Sequence, residues 1–100
     1  MVTLFFSQLR EDIDMASYDV DRARMMSQIT QLPGFVSSKI FTAEDGERLN
    51  VVMFESSEAQ DQWRFNPGHN QTQQKGREGY YQYYRSIVCE SVRESNWEKE

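Results

Sequence analysis

Two β-favouring segments flank a strong turn signal near the middle of the chain, and this pattern constrains the fold most. The segments are residues 35–42 and 49–55, and the turn between them contains Asp45-Gly46. An Asp-Gly pair favours the turn geometry that joins antiparallel strands, so we predict a β-hairpin. The second strand has four consecutive apolar residues, Val51-Val52-Met53-Phe54. Since successive side chains point to opposite faces, both faces of the hairpin need an apolar cover.

One further strand is predicted at each end of the chain, and a helix precedes the hairpin. Residues 2–10 and 83–94 are rich in β-favouring residues. From Ser17, which we interpret as the N-cap, to Leu32, apolar residues recur with the spacing of an amphipathic helix. Pro33-Gly34 ends that helix, because proline cannot continue the hydrogen-bond ladder.

A second helix follows the hairpin. Ser57 and Gln60 have the form of a capping box, and Ala59 and Trp63 lie one turn apart on the same side. Asn66-Pro67 predicts a break, after which the helix resumes. The order of elements is therefore β-α-β-β-α-β.

This order is typical of a ferredoxin-like α+β domain, in which two helices cover one face of a four-stranded antiparallel sheet. We predict one such domain over residues 1–95. The tail that follows is expected to be frayed, apart from Trp97. The second sheet face still needs a cover, and a homodimer packed through this open face is the simplest one. A ligand pocket on the same face of a monomer is the alternative.

Charge and cysteine content exclude several classes of function. The net charge is -5 with dispersed basic residues, which argues against nucleic acid as a partner. The opening segment has no basic flank and reaches charged residues by Arg10, so we expect neither a signal peptide nor a membrane span. Cys89 is the single cysteine, which suits a reducing cytoplasm and predicts no metal site.

The second half of the second helix is unusual, because it contains no aliphatic residue between Pro67 and Gly79. His69, Gln73, Gly76 and Tyr80 fall on one stripe of this helix. The stripe is predicted either to line a polar-edged pocket or to form a solvated face.

The same region carries a resemblance to a known family. The pattern comprises Trp63-Arg64-Phe65-Asn66-Pro67-Gly68-His69, then Gln73, Gly76-Arg77-Glu78, Tyr81, Tyr84 and Val88-Cys89, with Pro33-Gly34-Phe35 and the turn at 42–48 upstream. It resembles the antibiotic biosynthesis monooxygenase family. The resemblance implies a dimeric α+β barrel and, among the activities of the family, oxidation of quinols or polyketide phenols by O2 without metal or flavin.

Within that resemblance, His69 and Trp63 are the candidate catalytic residues. His69 is the only imidazole, so it is the leading proton acceptor, with a surface or capping role as the alternative. Trp63 is expected either to stack on an aromatic ligand or to pack in the core. Where cofactor-free oxygenases of the family carry an asparagine before the tryptophan, this chain has Ala59, which leaves Asn50 as the candidate amide.

The predicted substrate-binding residues are Asn50, Gln73, Arg77, Tyr80 and Tyr81. Arg77 is expected to stabilise an oxyanion or to form an ion pair with a glutamate such as Glu78. The tyrosines would hold hydrogen bonds at a pocket edge. The sequence thus predicts a cofactor-free monooxygenase acting on a small aromatic, quinol or polyketide-like molecule. A non-catalytic dimer that binds an aromatic or haem-like ligand, and a protein that serves mainly for association, are the alternatives.

Overall fold

Four antiparallel strands and two helices make up the part of the chain that the structure describes. The computed structural model describes residues 1–66, 70, 74 and 79–100. The elements are, in chain order, β1 (Val2–Leu9), α1 (Met15–Ile29), β2 (Phe35–Thr42), β3 (Arg48–Phe54), α2 (Ser57–Arg64) and β4 (Tyr81–Cys89). The strand order across the sheet is β2-β3-β1-β4, with every neighbouring pair antiparallel. The predicted ferredoxin-like α+β fold and the hairpin are confirmed.

Alternation along the two central strands divides the sheet into two faces. Val52 and Phe54 of β3 are buried against the helices, where they form a core with Ile29, Ala59 and Trp63. Their neighbours in sequence point to the other face, which no described element covers. This face, here called the open face, carries Val2, Leu4, Phe6, Phe41, Leu49, Val51, Met53 and Ile87.

Both helices begin earlier than the sequence indicates. Asp14, and not Ser17, is the N-cap of α1, because the Asp14 carboxylate accepts hydrogen bonds from the Ser17 amide at 3.2 Å and the Ser17 hydroxyl at 2.9 Å. These bonds lower the pKa of the Asp14 carboxyl. Ser56, and not Ser57, caps α2 by accepting from the Ala59 amide at 3.2 Å. Neighbouring polar residues offered competing caps, and only the residue with extended backbone can serve.

The last strand is shorter and earlier than predicted. It spans Tyr81–Cys89, whereas residues 83–94 were expected. Its partner β1 sets both limits, since Val2 pairs with Cys89 and Leu9 pairs with Tyr81 after a bulge. Residues beyond Cys89 therefore have no strand to pair with, whatever their β-propensity. Trp97, which was the one tail residue not expected to be frayed, is 85% exposed.

Gly34 connects α1 to β2 at a point of close packing. Its φ of +83° is a conformation that side chains disfavour, and an added Cβ would lie 2.6 Å from the Ala59 Cβ. Its carbonyl accepts a 2.7 Å hydrogen bond from the Glu55 amide. The predicted helix stop at Pro33-Gly34 is thus a turn that brings α2 against the start of the hairpin.

Replacing Gly34 with alanine should therefore destabilise the domain more than the same change at Gly46. Both glycines have positive φ, but an added Cβ at Gly46 meets only the flexible Gln8 side chain, at 3.1 Å. We expect Gly46→Ala to lower the free energy of unfolding by about 1–2 kcal/mol. Gly34→Ala should lower it by about 3 kcal/mol, because the clash with Ala59 adds to the backbone strain. Urea unfolding of the two variants measures both values, and equal losses would contradict the close-packing account.

Candidate functional site

A cavity of about 520 Å³ lies between the helices and the covered face of the sheet. Its floor consists of alternate residues of the sheet, and its walls come from α1, α2 and the start of β4. The floor residues are Thr3, Phe5, Ser7, Ile40, Arg48, Asn50, Val52, Tyr84, Ser86 and Val88. This volume is within the range of small-molecule sites.

Aromatic rings form a continuous wall at one end of the cavity. Phe5 stacks on Tyr84 with ring centroids 5.3 Å apart, and it meets the edge of Tyr81 at 5.9 Å. Tyr18 of α1 contacts Tyr80 edge-on at 5.5 Å and Tyr81 at 6.4 Å. Such a wall offers flat apolar surfaces to an aromatic ligand and phenol groups at its edge.

A buried carboxylate anchors this wall to α1. Asp21 is 4% exposed and accepts hydrogen bonds from the Tyr80 hydroxyl at 2.5 Å and from Arg24 at 2.8 Å. The hydrogen bond to Asp21, reinforced by burial, raises the pKa of Tyr80 to about 12. Tyr80 therefore stays neutral at physiological pH and serves Asp21 as a donor.

Arg48 brings a positive charge to the same end. Its Nη1 donates to the Tyr18 hydroxyl at 3.2 Å, and its guanidinium lies 5.7 Å from the centre of the Tyr18 ring. Tyr81 lies beside Tyr18, and burial together with the Tyr18 phenol raises the pKa of Tyr81. The Tyr81 phenol is thus available as a neutral hydrogen-bond donor or acceptor at this end of the cavity.

Several polar groups of the cavity retain unused hydrogen-bonding capacity. The Asn50 side-chain oxygen accepts from the Ser38 hydroxyl at 3.0 Å, and its amide nitrogen has no acceptor among the described residues. Gln60 is only 6% exposed, yet its side chain hydrogen-bonds to no described residue. The buried Thr3 hydroxyl also has no partner within the described part of the chain. Buried polar groups of this kind favour a ligand or ordered water as partner.

The structure brings together four of the residues singled out from the sequence. Asn50, Trp63, Tyr80 and Tyr81 all contribute to the cavity lining. Trp63 also belongs to the buried core, so both of its predicted roles are compatible with its position. The other three, His69, Gln73 and Arg77, lie outside the described residues. Gly76, which is predicted to share a helical stripe with His69 and Gln73, also lies outside the described residues.

Tyr83 lies apart from Tyr80, Tyr81 and Tyr84, which line the cavity. Alternation along β4 turns it to the open face, where its hydroxyl donates to Glu47 at 2.5 Å. This exposed hydrogen bond raises the pKa of Tyr83. Its role is therefore local to the sheet surface.

Sequence reasoning missed three polar residues of the cavity. Asp21 is not among the predicted site residues, Gln60 is predicted as part of a capping box, and Arg48 falls in the predicted turn at 42–48. A signal did exist: Asp21 lies on the helical stripe that also contains Tyr18, Met25 and Ile29. A charged residue on an apolar stripe indicates a buried polar contact.

Neither a metal site nor a membrane-spanning helix occurs in the described part of the chain. No three of its histidine, cysteine, aspartate and glutamate side chains cluster as metal ligands would. None of its helices has the length and apolar character needed to cross a bilayer.

Comparison with solved structures decides which fold this is. The chain superposes on Rv0793 from Mycobacterium tuberculosis with a TM-score of 0.79 and 19% identity, covering 95% of this chain and 97% of that one. A provisionally named antibiotic biosynthesis monooxygenase from Deinococcus radiodurans gives 0.79 at 13% identity, covering 99% and 100%. The chain has the antibiotic biosynthesis monooxygenase fold. The family resemblance drawn from the sequence is confirmed at the level of the fold.

One further solved structure and one relative in sequence are also similar to this chain. SnoaB, a cofactor-independent oxygenase from Streptomyces nogalater, superposes with a TM-score of 0.67 and 14% identity over 91% of this chain and 93% of that one. In sequence, the chain is 28% identical to the uncharacterized protein YqjZ of Bacillus subtilis over 91 residues, which are 91% of this chain and 79% of YqjZ. No family model matches the sequence.

Removal of the Tyr80 hydroxyl tests the buried anchor. Tyr80→Phe leaves the Asp21 carboxylate one donor short and should lower the free energy of unfolding by about 1–3 kcal/mol. The pKa of Tyr80 is raised from 10.0 to about 12, so this stabilisation is fully present below pH 10 and is lost as pH rises through about 12. Urea unfolding at a series of pH values should therefore show wild type and Tyr80→Phe converging between pH 10 and pH 12.

Tyr83→Phe is the matched control for this loss, because it removes an exposed hydroxyl that also donates to a carboxylate. Near neutral pH it should lower the free energy of unfolding less than Tyr80→Phe does, because water can replace the lost partner of an exposed carboxylate. A Tyr80→Phe variant no less stable than Tyr83→Phe would contradict the role given to the buried hydrogen bond.

Proposed function

We propose that this protein is a cofactor-independent oxygenase that binds a small phenol, quinol or polyketide-like aromatic in the cavity and oxidises it with O2. One observation carries the proposal: the cavity combines stacked aromatic walls with the side-chain amides of Asn50 and Gln60, whose N–H groups have no acceptor among the described residues. A flat, hydroxylated aromatic molecule satisfies both features. The fold shared with SnoaB, a cofactor-independent oxygenase, supports the same assignment.

The proposed reaction begins with loss of a proton from an acidic C–H group that an adjacent phenol and ring activate. The resulting carbanion transfers electrons to O2, and a new C–O bond forms at that carbon. Over the full reaction, a CH2 group and O2 give C=O and H2O, so one oxygen atom enters the product and the other leaves as water. Four electrons pass from carbon to O2, and no external reductant is required.

Each candidate residue has a place in this scheme. His69 would accept the proton, and Trp63 would stack on the substrate ring. Asn50 and Gln73 would donate hydrogen bonds to substrate oxygens. Arg77, or one of the neutral tyrosines Tyr80 and Tyr81, would stabilise the developing oxyanion.

A ligand-binding protein without catalysis is the second candidate. Asp21 is the one carboxylate among the described residues that line the cavity, and Tyr80 and Arg24 hold it. Such a carboxylate is a poor proton acceptor. If His69 does not serve as the base, the described wall supplies no evident substitute, and binding without turnover is then the expected behaviour.

Oxygen consumption by the purified protein distinguishes the two candidates. A panel of quinols and polyketide-like phenols, without added metal or flavin, should include one that drives O2 uptake. His69→Ala should lower its rate by about 10²-fold or more, the usual contribution of a general base. Trp63→Phe should weaken substrate binding, whereas Trp97→Phe, in the exposed tail, should change neither rate nor binding. Unchanged turnover in His69→Ala would exclude the proposed base.

We also propose that two copies associate through the open face, in a reducing cytoplasm where Cys89 stays a thiol. Phe41 is 51% exposed and Ile87 is 37% exposed, and the residues of β1 and β3 between them are apolar and half-buried. Covering ~600 Å² of apolar area would contribute roughly 15 kcal/mol before the costs of association. This gain is large enough to make the dimer the stable form.

A charge at the centre of the open face should separate the dimer. Val51→Asp places a carboxylate on β3, between β1 and β2, where pairing would bury it. Sedimentation velocity at micromolar concentration should show a dimer for wild type and a monomer for Val51→Asp. Val92→Asp is the control, because the Val92 side chain lies in the tail and is 96% exposed. This variant should remain dimeric. A monomeric wild-type protein would refute the association.

A further inference from the structure

We propose that the cavity selects aromatic molecules that carry an acidic group, and that Arg48 binds this group. This inference rests on the proposed function, since it names the substrate class for the same cavity. It assigns a specificity-determining role to a residue that the sequence pattern placed in a turn.

The arrangement around Arg48 leaves its charge available to a ligand. Arg48 is half-buried in the cavity wall and forms no ion pair with a described carboxylate. One of its five N–H donors bonds to the Tyr18 hydroxyl, and the flat face of its guanidinium packs near the Tyr18 ring. These contacts fix the side chain while the remaining donors can still engage an anion. A guanidinium held in this way is suited to bidentate pairing with a carboxylate.

The negative charge of Asp21 does not cancel this effect. Its two oxygens accept from Tyr80 and Arg24, so the Arg24 guanidinium compensates its charge. Tyr18, which accepts from Arg48, contacts the ring of Tyr80, the donor to Asp21, and the ring of Tyr81, whose pKa is raised. An incoming carboxylate would therefore meet Arg48 and the Tyr81 phenol, with Arg22 as a second positive charge in the lining.

The opposite end of the cavity adjoins the apolar core, which gives a bound molecule a direction. Arg48 and Val52 lie four residues apart on β3, or about 13 Å along the strand. Val52 contacts the core that includes Ile29 and Trp63. A ligand with its acidic group at Arg48 would extend its ring system past Asn50 towards Trp63. Its charge would then lie beside the guanidinium and its ring beside the apolar core.

Two naphthalene probes that differ only in charge test this inference. 2-Naphthoate carries a carboxylate, and 2-naphthamide is its neutral counterpart of nearly equal size. Isothermal titration should show that the wild-type protein binds 2-naphthoate at least about 10-fold more tightly. Arg48→Met should weaken 2-naphthoate binding by about 10- to 100-fold, as expected for loss of charge-assisted hydrogen bonds, and should change 2-naphthamide binding less than about threefold.

Two further variants keep the test decisive. Arg48→Gln retains an N–H donor for the Tyr18 hydroxyl, so it replaces Arg48→Met if the latter fails to fold, with the same expected loss of selectivity. Arg93→Met removes an equal charge from the exposed tail and should leave both affinities unchanged. Equal binding of the two probes to wild type, equal losses for both in the Arg48 variants, or no binding of either would overturn the inference.

These outcomes separate the inference from the function on which it rests. Oxygen uptake with a neutral quinol in a protein that does not discriminate the two probes would leave the oxygenase proposal intact and remove the role of Arg48. Selective binding of 2-naphthoate without any O2 uptake would support the anion-binding role of Arg48. It would favour a ligand-binding protein over an oxygenase.

Discussion

Side-chain alternation along β1 and β3 is the constraint on which the rest of the structure depends. Each central strand sends one set of residues towards the helices and the next set towards the open face. Thr3, Phe5 and Ser7 therefore line the cavity, while Leu4 and Phe6 face away. A shift of one residue in register would exchange these sets and destroy both surfaces. The ligand site and the association surface are thus two consequences of a single register.

The cavity exists because its walls are held apart by polar contacts as well as by packing. Tyr80 reaches across to Asp21 on α1, and Arg48 reaches from β3 to Tyr18 on the same helix. These two contacts fix α1 against the sheet without filling the space beneath it. Truncating either donor would leave a buried polar group unsatisfied, so the helix is held at a defined distance from the sheet.

Much of the fold could be predicted from the sequence because the local signals agree with one another. The Asp45-Gly46 turn, the positions of β2 and β3 and the order of elements each follow from pattern and turn chemistry. The helix caps and the extent of β4 could not be predicted reliably. A cap depends on which of several polar residues has extended backbone, and the last strand depends on where β1 ends.

The candidate site was only partly accessible to the same reasoning. Asn50 and Trp63 were singled out from the family resemblance, and both line the cavity. Arg48 and Asp21 are not among the predicted site residues, because their partners are distant in sequence. Only Asp21 has a local signal, its position on an apolar helical stripe. Gln60 illustrates the same difficulty, since a residue that fits a capping pattern is instead a buried cavity side chain. Polar residues on the covered face of a sheet or helix are the sequence signal that indicates such cavity side chains.

Fluorine NMR of the protein labelled with 5-fluorotryptophan tests most directly whether the cavity is the ligand site. The chain has two tryptophans, Trp63 in the cavity wall and Trp97 in the exposed tail, so each resonance reports on one location. On titration with a quinol or with 2-naphthoate, the Trp63 resonance should move and saturate while the Trp97 resonance stays in place. A stationary Trp63 resonance, with or without movement of Trp97, would contradict the assignment of this cavity.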